Sequence, residues 1–431
     1  MIRITKIRKL LILLLALLLT ASLAACAQPT QRFPREAPPP LPPPPPLTFD
    51  FETAAPTEGS GAEDDPWQLS LPEHLAWLAD PKHPERLTGY YLLVNDITAP
   101  DNLVIAHISI YDFQDNETRA STGFRGSFDG GEHTITVNIY LPDQIFVGLF
   151  GQINESGRVQ NLNIVGSITA REVVGGLAGL NDGEVTDSSS NVEVTGWFYV
   201  GGLMGWNANA VQNSYATGNV SGQRQVGGLI AHSFGTVQDS HATGNVNSEG
   251  SAGGLIGING RDGEIIRSHA SGDVESSGSH VGGLVGSSLG AGYGRIIDSH
   301  ATGDVSGYRI VGGLVGFNSI TVSIHNSYAT GNVTGTRGAV GGLVGTSYGA
   351  ITSSRASGNV TGGGSRVGGL VGTLPDGMVL DSFATGDVSG RMGNVGGSVD
   401  IGELIGRKAD RSIVENSYGT GNVTIEGDDD A

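Results

Sequence analysis

"NSYATGNV", residues 213–220, returns letter for letter at 326–333. Its variants are "DSHATGNV" from 239, "DSHATGDV" from 298, "DSFATGDV" from 381 and "NSYGTGNV" from 416. A strand turns successive side chains to opposite faces. Ser214, Ala216, Gly218 and Val220 then share one face, and Tyr215, Thr217, Asn219 and Ser221 the other. The first set is small and ends apolar, so it is assigned inward, because closely approaching walls need small residues. Asn213 is placed at a corner, where its side chain can satisfy backbone groups.

The corner residue recurs as Asn161, Asp187, Asn213, Asp239, Arg267, Asp298, Asn326, Ser353, Asp381 and Asn416, at spacings of 26 to 35 residues. A second signature keeps step, as "VGGLAG" from 174, "VGGLMG" from 200, "VGGLIA" from 226, "AGGLIG" from 252 and "VGGLVG" from 281. A period of this size signals a stacked solenoid. Short Val- and Thr-rich runs between glycine turns make it a β-solenoid. Each coil pairs in parallel with the coils above and below, and the handedness of parallel crossovers favours a right-handed parallel β-helix. Ten coils make a rod about 48 Å long. Stacked corner residues form a hydrogen-bonded ladder, which Arg267 and Ser353 interrupt. Beyond Pro142 only Pro375 remains, as strands paired on both edges require.

Ahead of the repeats, "PWQLS" reads as a strand and "PEHLAWLA" as a short helix opened by Pro72. "YYLLVNDI" and "FRGSFDGGEHTI" follow as strands and turns. "GGLVG" followed by "NSYATGNV" resembles the GLUG repeat of bacterial surface proteins, which also occurs in some immunoglobulin A-specific metallopeptidases. The segment from "DPWQLS" to "GLFG" is similar to the region that commonly precedes such repeats. The resemblance spans about residues 62–425 and implies a β-solenoid on an extracellular protein. It does not imply peptidase activity, because the chain has no His-Glu-x-x-His.

The N-terminus supplies an address. Arg3, Lys6, Arg8 and Lys9 precede a Leu-rich run and then small residues, as in a secretory signal. Leu23-Ala24-Ala25-Cys26 resembles a bacterial lipobox, with Cys26 the sole cysteine. That resemblance implies cleavage before Cys26, its lipidation, and anchoring through several acyl chains. Ala27, where an Asp would favour inner-membrane retention, points to the outer membrane or the extracellular face of the envelope. The expected organisation is a signal peptide at 1–25, a lipidated Pro-rich linker at 26–61, an N-terminal cap with first coils at 62–144, the repeat solenoid at 145–425 and an acidic tail at 426–431. The proline run within 37–47 reads as a polyproline II stalk.

Sixty-nine glycines, 16% charged residues and a formal charge of −19 across 431 residues exclude collagen, which needs a strict triplet. The acidity also argues against a nucleic-acid partner, which would need a basic patch. A single cysteine permits no intrachain disulfide.

The outward columns are the candidate binding face. The first holds Tyr215, His241, His269, His300, Tyr328, Arg355, Phe383 and Tyr418. The second includes Thr217, Thr243, Thr302, Thr330 and Thr385, and the third Asn219, Asn245, Asp273, Asp304 and Asn332. One reading makes them a surface for glycans, surface polymers or proteins; the other makes them residues that merely suit exposed strands. His241, His269 and His300, spaced by one coil, are candidate ligands for Zn²⁺ or Ni²⁺, although collinear ligands suit tetrahedral coordination poorly. Asp273 and Asp304 are the pair that Ca²⁺ or a carbohydrate-active β-helix enzyme would use, but no basic column accompanies them. No cofactor and no catalysis are expected. The sequence therefore reads as an envelope lipoprotein presenting a solenoid for adhesion or surface binding, with a β-helix enzyme and a passive spacer as alternatives. "SSLGAGYG" and "GGSVDIGELIGRKADRS" are read as insertions that project from the rod, the second alternatively as part of a cap.

Overall fold

A computed structural model describes residues 49–108, 123–290, 294–364, 366–391 and 400–426. The signal, Cys26, the stalk, residues 291–293 and 396–399 of the two inserts, and 427–431 of the tail lie outside the described residues.

The fold is a parallel β-solenoid. A typical coil contains five short strands, as in Val211–Gln212, Tyr215–Ala216, Val220–Gly222, Gln225–Gly227 and Ile230–Ser233. Each strand pairs in parallel with its counterpart one coil away, so that Val211 meets Val237, Tyr215 meets His241, Val220 meets Val246, Val226 meets Ala252 and Ile230 meets Ile256. Strands of the first kind stack into a 13-stranded sheet and those of the last kind into a 10-stranded sheet. The remaining strands form the wall that carries "NSYATGNV".

Strand alternation assigned the faces as found. Ser214, Ala216 and Val220 are buried, while Tyr215 and Asn219 are exposed. The core is a set of aliphatic columns. Leu203, Leu229, Leu255, Leu284, Leu314, Leu343 and Leu370 are all 0% exposed. Each buried Leu or Val contributes about 1.5–3 kcal/mol of hydrophobic stabilisation. The paired glycines mark where walls meet: a Cβ built at Gly254 would collide with the carbonyl oxygen of Gly283.

Each coil turns its corner at one left-handed residue. Glu132 opens this column, the ten residues from Asn161 to Asn416 continue it, and all have φ between +45° and +64°. Asn and Asp tolerate this conformation better than other non-glycine residues. The corner ladder is built in pairs. Asn213 donates to Asp187 (3.1 Å), Asn326 to Asp298 (2.6 Å) and Asn416 to Asp381 (3.1 Å). Arg267, expected to interrupt the ladder, instead forms one of its rungs through two 2.7 Å bonds to Asp239. Its guanidinium is long enough to reach the carboxylate one coil back. Ser353 has no side-chain hydrogen bond and is a true break.

A second ladder runs inside. The backbone N–H of Ser188 donates to Ser214 Oγ, that of Ser214 to Ser240 Oγ and that of Ser240 to Ser268 Oγ, each at 3.2 Å. Each hydroxyl in turn donates to a carbonyl two residues back, as Ser214 does to Gln212 at 2.7 Å. The buried serines are thus satisfied as both donors and acceptors, as burial demands.

The N-terminal end is capped. The expected strand is Trp67–Leu69 and the expected helix Pro72–Ala79. Leu75, Ala76 and Leu78 of that helix join the solenoid core, and Tyr91, Phe124, Phe128 and Phe150 fill the first coils. Arg86 lies 4.3 Å from the Trp77 ring centroid and donates to the Trp77 carbonyl at 2.7 Å. At the other end, the sequence read as a projecting insert is largely strand. Asp400–Gly402 and Ile405–Lys408 pair with Arg366–Gly368 and Val371–Leu374 and so complete the coil that Met378–Leu380 opens, on which Ile413–Glu415, Tyr418–Gly419 and Val423–Glu426 stack in turn. Its "IGELIG" is a degenerate "VGGLVG", whose Gly-to-Glu change hid the period.

Candidate binding face

The first outward column is a continuous stack of rings. Tyr215, His241, His269 and His300 follow one another at centroid spacings of 4.8 Å with interplanar angles of 6° or less. Tyr328 continues the stack at 4.6 Å, and Arg355 closes it with its guanidinium 4.3 Å from the Tyr328 centroid. Further on, Phe383 and Tyr418 stack at 5.6 Å. The in-register parallel pairing of Tyr215, His241, His269 and His300 sets this spacing.

Partial burial lowers the pKa of all three imidazoles; the neighbouring His269 lowers His241 and His300 further, and Arg355 adds to the effect on His300. The three imidazoles therefore favour their neutral form near neutrality. Parallel rings do not suit a shared metal ion. Their lone pairs lie in the ring planes and do not converge. Like nitrogens stand one ring spacing apart, so a shared ion would sit about 2.4 Å or more from each, beyond the roughly 2.0–2.1 Å of a Zn–N bond. Among the described residues no group of three or more His, Cys, Asp or Glu side chains is placed to hold a metal.

The second column presents hydroxyls. Thr243, Thr302, Thr330 and Thr385 are exposed and Thr217 is half-buried. Their hydroxyls make no bond within the protein, although their backbone N–H groups are used, as when Thr243 donates to the Ala216 carbonyl at 2.9 Å.

The third column has a structural task that strand alternation does not reveal. Asn219 Oδ1 accepts the backbone N–H of Asn245, and Asn245 Oδ1 that of Asp273, both at 3.0 Å. Asp273 Oδ1 accepts the N–H of Asp304 at 2.8 Å, and Asp304 Oδ1 that of Asn332 at 2.7 Å. The ladder continues through Asn359 and Asp387 to Asn422. Only an oxygen at Oδ1 is required, which explains why Asn and Asp interchange freely. These residues remain exposed, but one oxygen of each helps close the coils.

One cluster has no counterpart in the sequence reading. Trp206 and His232 stand in register at a centroid distance of 4.5 Å, with Phe234 4.5 Å from His232 and Tyr199 5.3 Å from Trp206. Tyr199, with Val173 and Phe146 one and two coils back, forms a second left-handed column at φ +55° to +56°. Tyr199 and Trp206 pack on a small core of Ile108, Ile145, Phe146, Val173 and Leu180. Burial pushes the pKa of His232 down to about 3. Aligning the residues after each "GGL" would have placed Trp206 and His232 in one outward column.

The geometry defines a GLUG-repeat β-helix with a ring-stacked outer wall. Residues 248–275, 277–306, 307–334 and 336–361 each match the GLUG motif. The chain thus carries four GLUG repeats, and coils of the same geometry extend beyond the matched segments on both sides. Comparison with curated proteins gave no match. A solved structure described as "a putative immunoglobulin A1 protease from Bacteroides ovatus" is 17% identical, with 86% of this chain and 91% of that chain covered at a TM-score of 0.35. That likeness is too remote to transfer an activity.

Proposed function

We propose that this protein is a lipid-anchored component of the bacterial cell envelope, held by Cys26 at the outer membrane or extracellular face, whose solenoid serves adhesion or surface binding. The observation that carries this reading is the outward-facing, half-buried ring stack from Tyr215 to Arg355. Coil closure is accounted for by the serine ladder, the Asn/Asp ladder and the aliphatic columns, none of which needs a ring at these positions. Outward ring edges and unbonded threonine hydroxyls together suit a glycan or protein surface, because aromatic side chains combine apolar area with polar edges. The lipobox-like Leu23-Ala24-Ala25-Cys26 and the proline stalk support the address. The reading is non-catalytic, with Asp273 and Asp304 serving the ladder.

Whole-cell adhesion tests it. Cells carrying a variant with serine at Tyr215, His241, His269, His300 and Tyr328 should bind their surface poorly, at unchanged amounts of anchored protein. Equal adhesion by the variant would remove the ring stack from the account. Labelling with a palmitate analogue, lost on Cys26→Ser, checks the anchor. Polymer turnover that depended on Asp273 or Asp304 would replace binding with catalysis.

A further inference from the structure

The ring stack ends at Tyr215, and a shallow recess opens there. In the two coils before it, the same column holds Ser189 and then Asn163. Both are too short to cover the face of the Tyr215 ring, which is 37% exposed. The recess has a volume of about 310 Å³ and is lined by Glu132, Asn161, Asn163, Asp187, Asn213 and Tyr215. That is at the low end for ligand clefts, about 300 Å³, and suits one ring of a larger molecule.

The hydrogen bonds of the lining decide its chemistry. One N–H of each lining amide is used within the protein: Asn161 Nδ2 donates to Asp129 (3.1 Å), Asn163 Nδ2 to the Glu132 carbonyl (2.9 Å) and Asn213 Nδ2 to Asp187 Oδ1 (3.1 Å). Asn163 Oδ1 is taken by the Ser189 hydroxyl at 2.6 Å. The lining therefore offers acceptors in excess, namely the Glu132 and Asp187 carboxylates and the side-chain carbonyls of Asn161 and Asn213, beside the second N–H of each amide. The Tyr215 hydroxyl stands at the rim. A ligand that fits must present several O–H donors and one flat face for the ring. It must also lack anionic groups, which Glu132 and Asp187 would repel.

We propose that this recess is a saccharide subsite that takes one neutral pyranose unit of a surface glycan, stacked on Tyr215 with its hydroxyls donating to Asp187, Glu132, Asn161 and Asn213. The pyranose packs on Tyr215 between Asn163 and the corner residues that line the recess. The inference rests on the reading of this wall as a binding face and names its ligand class.

The test uses the full chain in detergent on an array of neutral gluco-, galacto- and manno-oligosaccharides beside uronate and sulfated glycans, followed by titration calorimetry with the best neutral binder. Tyr215→Ser places in this coil the residue that Ser189 already provides one coil back, so the strand accepts it. It should weaken binding about tenfold or more, the scale of one lost aromatic contact. Tyr215→Phe keeps the stacking face and should stay within about threefold. Asp187→Ala should weaken binding about tenfold, and more than His269→Ser in mid-stack does. Circular dichroism of each variant confirms the fold. Unchanged binding by Tyr215→Ser with loss in His269→Ser would overturn the subsite and leave the face reading standing. Preference for uronates or sulfated glycans would overturn it, as would binding of Ca²⁺ alone with no saccharide bound. If no glycan binds, the subsite falls, and the adhesion of the five-serine variant separately decides the face.

Discussion

Asp304 offers the sharpest test of the outer ladder. Its Oδ1 accepts the Asn332 N–H at 2.7 Å, while its own N–H donates to Asp273 Oδ1 at 2.8 Å. Asp304→Ala deletes the first bond and keeps the second. A net hydrogen bond contributes about 0.5–1.5 kcal/mol, and water at this exposed site compensates in part, so the cost is about 1 kcal/mol. Asp304→Asn keeps an oxygen in place. It also removes the repulsion between Asp273 and Asp304, about 1 kcal/mol for two charges one coil apart in water before screening. The expected order of stability is Asn at or above wild type, with Ala below. A solenoid can open locally, so amide hydrogen exchange reads the effect best. The Asn332 amide should exchange about fivefold faster in Asp304→Ala and close to the wild-type rate in Asp304→Asn. The advantage of Asn should shrink in high salt. Equal protection of Asn332 in the Ala and Asn variants would refute the ladder.

Other outcomes follow from the same architecture. Ser240→Ala strands the buried Ser214 N–H, which donates to Ser240 Oγ at 3.2 Å, and should cost about 1–3 kcal/mol in urea denaturation; an unchanged midpoint would show that the inner serines carry no such load. Gly254→Ala drives a methyl against the Gly283 carbonyl and should lower the melting temperature or prevent soluble expression, whereas melting at the wild-type temperature would contradict the close approach of the walls. His74, His232, His241, His269, His280 and His300 all have folded pKa values below that of a free imidazole, chiefly through burial. The unfolded chain therefore binds more protons in acid, so stability should be full above about pH 6.5 and fall continuously towards pH 3. A flat urea midpoint across that window would show that these imidazoles are not held neutral by the fold.

Much of the fold was legible because a solenoid repeats its constraints. The small residues at Ser214, Ala216 and Gly218 and the "GGL" pairs recur for the same steric reason in each coil, so period and inward face could be read together. The helix over Pro72–Ala79 was legible from its opening proline and apolar spacing. What escaped were contacts between coils. Asn219 faces outward by alternation, yet its oxygen serves an amide 26 residues away, and nothing local in "ATGNV" says so. Arg267 breaks the letter pattern but keeps the ladder, because reach and charge matter there more than identity. The Tyr199, Trp206 and His232 cluster escaped because it is confined to a few coils, and periodicity reveals only what is repeated. The recess beside Tyr215 escaped for the complementary reason: it lies where the ring column stops, and its meaning depends on which amide donors are already used.

The most direct measurement of the proposed binding face is a hydrogen-exchange and hydroxyl-radical footprint of the full chain, free and bound to the surface component that its cells adhere to. Protection concentrated on the ring column from Tyr215 to Tyr328 and the adjoining threonines is the expected result. Protection confined to another wall, or a footprint indistinguishable from that of the free protein under saturating partner, would contradict it.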